Sequence, residues 1–431
     1  MEIEPLAELR PDRRAALFER TAGIDAIKSD VDVIIDRVRS QGDAALREYA
    51  AKFDDIHVGN LAVGNDLERA ADQIDDSLRN SIAVAAENIR RFHERQRRED
   101  WWMEYNGRCL GRRFRPIDRI GAYVPGGTAA YPSSALMTVI PAVVAGVEEI
   151  VVTTPPGDPV NQVTLAALHI AGADEVYQVG GAQAVAALAY GTESIPQVQK
   201  IVGPGNRWVT AAKAAVQGDV EIDFLAGPSE ILVIADDSAT PEYIAADLIA
   251  QAEHGRSSPC VLVTDDEAMA TAVIEELQSM TQFATRSETV HNALQSDSSG
   301  IFLARSMSEA ISFAETYAPE HLSIQTADPR GILDRIDSVG SAFLGPMAPV
   351  AAGDYASGTN HVLPTNGIAR VTGGLSVDSF LRATTMQELD LEGLQEIGPT
   401  ITSLAEAEGL PGHAESVNIR LEETDFSGRQ R

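Results

Sequence analysis

The chain has 431 residues, 44% of them hydrophobic, and 64 acidic residues against 34 basic ones give a net charge of −30. That length exceeds one ordinary core and predicts two or more domains of a soluble α/β protein. The charge repels nucleic acid and anionic membranes, so neither is an expected partner.

Only four of the basic residues are lysine (Lys28, Lys52, Lys200, Lys213). A surface this acidic repels itself at low ionic strength and is screened by salt, which points to a cytoplasm of high salt, the alternative being an ordinary acidic cytosolic enzyme. The N-terminal MEIEPLAELRPDRR has no basic start followed by an apolar stretch, so no signal peptide is expected. The longest apolar run, around Leu136 to Val147, is interrupted by Pro141 and is too short to span a bilayer. Two cysteines, Cys109 and Cys260, make no disulfide scaffold and fit a reducing compartment. Cys260 lies in the apolar run Pro259 to Val263 and reads as core.

Residues 1 to about 118 read mostly as helix, because Ile34, Ile35, Val38 and the stretch Ala83 to Phe92 recur at helical spacing amid charges. The arginines between Arg90 and Arg119 alternate with Glu94, Glu99, Asp100 and Glu104, the pattern of a solvated helix face with ion pairs. From Arg119 the texture alternates. A strand Ile120–Val124 runs into Pro125-Gly126-Gly127, and a strand Ile150–Thr153 is followed by a helix Val163–Ala171. A strand Glu175–Val179 runs into Gly180-Gly181 before the helix Ala182–Tyr190, and Lys200–Val202 runs into Gly203-Pro204-Gly205 before another helix. This is a βαβ series and implies a mostly parallel sheet with helices on its faces. A second series starts at Ile231–Ile234 and continues through a helix to Gln251, the strand Val261–Val263, a helix Glu267–Met280 and the strand-like Ala342–Leu344. The last 50 residues read as an acidic helical tail.

The glycine turns suit close approach of backbone N–H groups to a phosphate, or are simply tight connections; none forms a GxGxxG fingerprint. Gln183 and Asn206 beside them are either nucleotide contacts or helix caps. The segment Gly353 to Thr365 holds Asp354 and His361 among glycines and small polar residues and reads as a site loop. Gln251 and His254, three apart on a predicted helix, share a face. His254, Asp354 and His413 are suitable zinc donors, or ordinary histidines beside a carboxylate; the Gln251 amide is an uncommon fourth donor that the residues alone do not nominate. Glu320-His321 sets a carboxylate beside an imidazole, the equipment for moving protons between an alcohol and water, or else begins a turn. His57, His93, His169 and His291 have no such company and read as structural.

Taken together, YVPGG with YPSSALM (Tyr123 to Met137), VGGAQAVAALAYGT (Val179 to Thr192), VGPGN (Val202 to Asn206), DFLAGPSE (Asp223 to Glu230), QAEHG (Gln251 to Gly255), PEHL (Pro319 to Leu322) and GDYASGTNHVLPT (Gly353 to Thr365) resemble the histidinol dehydrogenase family. The likeness covers nearly the whole chain, with the motifs in order. It implies an intertwined homodimer with two incomplete Rossmann-like domains. Residues 1–118 with 229–380 would form one, 119–228 the other, and 381–431 a tail reaching the partner subunit. It implies one zinc per site, held by Gln251, His254, Asp354 and His413, with His413 and Glu408 from the other subunit. It implies oxidation of L-histidinol through the aldehyde to L-histidine with two NAD, His321 as general base and Glu320 activating water. Ser229 and His361 would line the substrate pocket together with Gln251, His254, His321, Asp354, Glu408 and His413, and Tyr123, Gln183 and Asn206 would contact NAD. Trp101 to Arg113 and the acidic residues past Leu421 depart from the family pattern. A related dehydrogenase for another alcohol, such as a sulfonated diol, is the nearest rival, and Glu408 favours an ammonium-bearing substrate; a non-catalytic scaffold is disfavoured by retention of every site position.

Overall fold

The computed structural model describes residues 1–18, 23–64, 66–126 and 130–427, so Gly127 of the first glycine turn lies outside the described residues. The described residues form two compact units, Met1–Gln96 with Ile117–Phe380, and Arg97–Pro116 with Leu381–Arg431.

The first unit is built on two parallel sheets. One has the strand order Glu175–Gln178, Glu149–Thr154, Arg119–Tyr123, Lys200–Val202, Glu221–Ile222. The other runs Ile3–Pro5, Gly300–Leu303, Cys260–Thr264, Ile231–Ala235, His321–Gln325, Ser341–Leu344. Within each series the chain therefore starts at a central strand, adds two strands on one side, then crosses to the other, which is the doubly wound arrangement. The strands Ile231–Ala235 and Cys260–Thr264 are buried throughout and almost wholly apolar, as strands covered by helices on both faces must be. Cys260 is fully buried there.

Of the N-terminal segment, the strand Ile3–Pro5 joins the edge of the second sheet beside Ile301–Leu303. The helices that follow pack on helices of the other series. Lys28–Gln41 lies on Gly181–Tyr190 and Arg207–Val216, Asp66–Gln73 on Gln162–Ala171, and Asp76–Glu94 on Pro132–Ala145. Val31, Ile34, Ile35 and Val38 share one core with Val185, Leu188 and Val209. Within the described residues no helix is long and apolar enough to cross a membrane.

The second unit differs from its expected helical character. Trp101–Tyr105, Arg108–Pro116 and Leu381–Leu389 form an antiparallel three-stranded sheet, followed by helices Leu391–Ala407 and Pro411–Ser427 that pack on each other. Of the arginines placed on a helix face, Arg90 and Arg91 do lie on the helix Asp76–Glu94, Arg91 paired with Glu87 four residues before it, whereas Arg108, Arg112, Arg113 and Arg115 are strand residues, with Arg108 paired to Glu396 and Arg115 to Asp100. The strand signal is weak because four of the nine residues of the middle strand are arginine and its main partner lies more than 260 residues later in the chain. Trp101, Trp102, Met103 and Tyr105 are all exposed on the edge strand.

Candidate active site

A cleft of about 800 Å³ in the first unit is lined by Tyr123, Gln183, Asn206, Ser229, His254, Glu320, His321, Asp354 and His361. The structure thus gathers nine of the expected site residues from segments up to 238 positions apart (361 − 123). Gln251 is buried beneath the turn that carries His254, while Glu408 and His413 belong to the second unit and are exposed.

One wall of the cleft is made at the carboxyl ends of the first sheet's strands. Gly203 has φ +112, and a Cβ there would stand 2.2 Å from the Tyr123 carbonyl oxygen, so only glycine lets these two strand ends lie side by side. A Cβ on Gly205 would meet Val209 at 2.4 Å. The turn is fixed from below by a buried ion pair. Lys213 Nζ bonds Asp223 Oδ1 and donates to the Gly203 carbonyl at 3.1 Å, while Asp223 Oδ2 accepts from Gly203 N at 2.8 Å. Asn206 caps the following helix, its Oδ1 accepting from Trp208 N at 2.9 Å and Val209 N at 3.3 Å. Capping uses only the amide oxygen, and its NH₂ remains a donor for a ligand. The Tyr123 hydroxyl accepts from Gly181 N at 3.2 Å; burial holds its proton on, so it remains a donor.

The other wall is made at the amino ends of the second sheet's strands. Ser229 and Glu230 immediately precede Ile231–Ala235, and Glu320 immediately precedes His321–Gln325. His321 is the first residue of a strand; the alternative of a simple turn is set aside. Glu320 is buried and its Oε2 accepts from Ser229 Oγ at 2.7 Å and Glu230 N at 2.8 Å. Burial pushes its carboxyl up to about 8, the two hydrogen bonds opposing and the nearby Asp354 charge adding to the rise. His321 Nδ1 lies 3.0 Å from the Glu230 carbonyl oxygen. A carbonyl can only accept, so Nδ1 carries the hydrogen and the lone pair is on Nε2. That Nε2 has no hydrogen-bond partner among the described residues and stands 3.7 Å from Asp354 Oδ1. Glu230, whose backbone carbonyl sets this tautomer, carries no sequence signal beyond its place in the Gly-Pro-Ser-Glu turn.

Asp354 sits in a short helix, Val350–Tyr355, and the loop character expected of 353–365 begins only after it. Its backbone carbonyl accepts from His361 Nδ1 at 2.9 Å, and His361 Nε2 is 3.4 Å from Ser134 Oγ. The helix carrying Gln251 ends at Ala252, so His254 stands in the turn beyond it rather than on the helix itself; its N–H still bonds the Gln251 carbonyl at 3.2 Å. The dense surroundings of His254 and His361 push both imidazoles toward the neutral form, with the Asp354 carboxylate opposing. His93, expected to be structural, is fully buried with Nδ1 2.7 Å from the Ile89 carbonyl.

Neutral imidazole, carboxylate and an amide oxygen are the donor set of a borderline metal ion. Both side-chain polar atoms of Gln251 are buried without a hydrogen-bond partner among the described residues. An orphaned buried amide costs about 1–3 kcal/mol per group, so its placement is understandable if a ligand satisfies it. Among the described residues no three His, Cys, Asp or Glu converge as a metal site. His254, Asp354 and Gln251 therefore fit a metal as an incomplete set that wants another donor.

A family model described as histidinol dehydrogenase matches residues 18–421. The histidinol dehydrogenase of Halobacterium salinarum is 63% identical over 98% of this chain and 100% of its own length. That of Methanosarcina barkeri is 44% identical over 98% of each chain. The crystal structure of histidinol dehydrogenase from Elizabethkingia anophelis superposes with a TM-score of 0.93, at 38% identity and 98% coverage of both chains.

Proposed function

The chain belongs to the histidinol dehydrogenase family and is an NAD-dependent oxidoreductase acting on histidinol in histidine biosynthesis; on that premise we propose that it carries out both oxidations, alcohol to aldehyde to carboxylate, in the one cleft. The observation that carries this reading is the His321 Nε2 lone pair, buried and without a hydrogen-bond partner among the described residues, on a residue that lines the cleft together with the buried Glu320. Bound NAD supplies the hydride acceptor. His321 Nε2 takes the hydroxyl proton as the carbon gives up hydride, with Nδ1 held by the Glu230 carbonyl so that the ring cannot turn away. Glu320 then takes a proton from water as its oxygen adds to the aldehyde, and the His321 imidazolium returns its proton to the aldehyde oxygen, which leaves His321 neutral again. A carboxyl raised toward neutrality by burial is a stronger base than a solvated one. His321 takes the hydroxyl proton of the hydrate in the second oxidation. Ser229 and Glu230 N orient the Glu320 carboxylate by their hydrogen bonds.

Tyr123, Gln183 and Asn206 would contact NAD along the glycine turns. Zinc would be held by Gln251, His254, Asp354 and His413, and when bound it anchors the imidazole and amino group of the substrate. That anchoring would keep the aldehyde in place between the two steps. Glu408 would pair with the substrate ammonium, and His361 would line the pocket. We assign His413 and Glu408 to the partner subunit of a homodimer. Two observations support the dimer: the metal set of the first unit wants another donor, and the edge strand Trp101–Tyr105 exposes four large apolar side chains of the kind that association covers. The acidic surface, and likeness to relatives from halophilic archaea, support a high-salt cytoplasm.

The test is NADH formed per L-histidinol consumed in molar KCl, before and after chelation. Two equivalents, lost on chelation and restored by zinc, are expected. One equivalent with accumulating aldehyde, or activity indifferent to chelation, would overturn the four-electron or the zinc part respectively.

A further inference from the structure

One group on the cleft wall has no part in the chemistry above. Asp54 ends the irregular helical turn Ala50–Asp54, and the next residue, Asp55, reverses the chain with φ 56. Phe53 and Asp54 both line the cleft. Asp54 is half-buried, and among the described residues it has no hydrogen-bond donor or cationic partner. Burial raises its carboxyl with no compensating charge. A half-buried carboxylate without a partner among the described residues is open to a donor supplied by a ligand.

Its position says which part of the ligand that is. His254, Glu320 and His361 are each perturbed by Asp354, whereas the charge of Asp54 is felt at Tyr123. Asp54 therefore belongs with the Tyr123–Gly181 wall rather than with the proton-transfer groups. The nicotinamide end of a dinucleotide has to reach Glu320 and His321, which leaves the adenosine end for the opposite wall. Phe53 is 52% exposed and offers aromatic surface there, its ring already stacked on Tyr49 at 5.4 Å.

We propose that Asp54 accepts a hydrogen bond from the adenosine ribose 2′-hydroxyl and thereby selects NAD against its 2′-phosphorylated form. In dinucleotide sites of the usual fingerprint an acidic residue about 20 positions after the glycines does this. Here the fingerprint is absent and the carboxylate is supplied by an N-terminal helical segment packed onto the sheet. A 2′-phosphate would bring about two negative charges against Asp54. Among the described residues, the only lysine or arginine lining the cleft is Lys213, already committed to Asp223 and the Gly203 carbonyl. The effect acts at contact distance, comparable with the screening length of roughly 3 Å at 1 M salt, so it persists in a salty medium.

The inference rests on the NAD site proposed above, and its test reads binding as well as turnover. NADH and NADPH are titrated into the zinc-loaded enzyme in molar KCl without substrate, followed by their own fluorescence. The same is done for Asp54→Asn and Asp54→Ala. The wild-type enzyme should bind NADH on the order of 100-fold tighter than NADPH, and each variant should shrink that ratio at least about tenfold, with zinc content unchanged. In the wild-type enzyme, NAD lacking the 2′-hydroxyl should bind about tenfold more weakly than NAD, and the two should bind alike in Asp54→Ala. Ratios within twofold of wild type in both variants, or equal binding of the 2′-deoxy cofactor by the wild-type enzyme, would overturn the assignment. Failure of the wild-type enzyme to reduce NAD with histidinol would instead sink the catalytic reading, which the binding ratio does not depend on.

Discussion

The two parallel sheets of the first unit have the same strand order, yet they present opposite ends to the cleft. The sheet of residues 119–222 offers the carboxyl ends of its strands, where Tyr123, Gly180 and Gly203 lie, as open α/β sheets usually do at the point where strand order reverses. The sheet around Ile231–Ala235 offers its amino ends. At its own carboxyl ends, the equivalent crevice is closed by Asp236, which bonds Ala327 N at 2.9 Å and Ser238 N at 3.0 Å. The difference teaches a division of labour. Carboxyl ends followed by helices expose backbone N–H groups and suit a cofactor's phosphates, whereas amino ends let side chains preceding the strand project together. One architecture used twice, in two directions, supplies a cofactor wall and a proton-transfer wall.

If that division is right, the largest effects come from the amino-end wall and leave cofactor binding alone. His321→Asn should lower kcat by about 10²–10⁴ while zinc content and NADH affinity stay at wild-type values, measured by steady-state kinetics, metal analysis and fluorescence titration. Glu320→Gln should spare the first oxidation and slow the second by a similar factor. A rapid-mixing experiment should show an NADH burst of one equivalent followed by a slow second phase.

The carboxyl-end wall breaks differently. Asp223→Ala leaves the Lys213 ammonium buried without its partner and frees the Gly203 turn. It should cost about 3–5 kcal/mol in chemical denaturation. The KM for NAD should rise while the split between first and second oxidation is unchanged.

The smallest effect sharpens how the proton-transfer wall is held. Asp247, buried on the helix Pro241–Ala252 that also carries Gln251, accepts from Val350 N at the start of the helix that carries Asp354. Burial raises its carboxyl to about 6, the Val350 hydrogen bond opposing. Folded-state pKa above the unfolded value near 3.8 means that the folded chain holds the proton longer, so stability falls as pH rises from about 4 through about 6. Asp247→Asn removes that decline. It should match wild type below about pH 4 and be more stable by up to about 3 kcal/mol above about pH 6, read from denaturation midpoints across that range.

The alternation of both βα series was legible because apolar strands bounded by glycines leave a strong local pattern, as at Ile231–Ile234 and Val261–Val263. The antiparallel sheet was not. Trp101–Tyr105 and Arg108–Pro116 are charged and exposed enough to pass for a solvated helix, and their pairing with Leu381–Leu389 is a contact no window of sequence contains. The candidate site divides in the same way. Glu320-His321 and Gly353 to Thr365 announced themselves by composition, and the ordered motifs fixed the family. Gln251 gave no signal of its own, because an amide looks like any polar helix residue until both its polar atoms are found buried and unpaired.

The sequence by itself determined the fold class, the family and which residue types were available for chemistry, since those follow from local periodicity and from motifs whose spacing the chain carries along its length. Only the tertiary structure decided that Nε2 rather than Nδ1 of His321 is the basic nitrogen, that Glu320 is buried beside Ser229 and Glu230, and that Asp54 and Tyr123 line the same cleft. Each of these depends on which group lies across a gap of many residues, and burial, tautomer and charge perturbation are properties of that neighbourhood rather than of the residue.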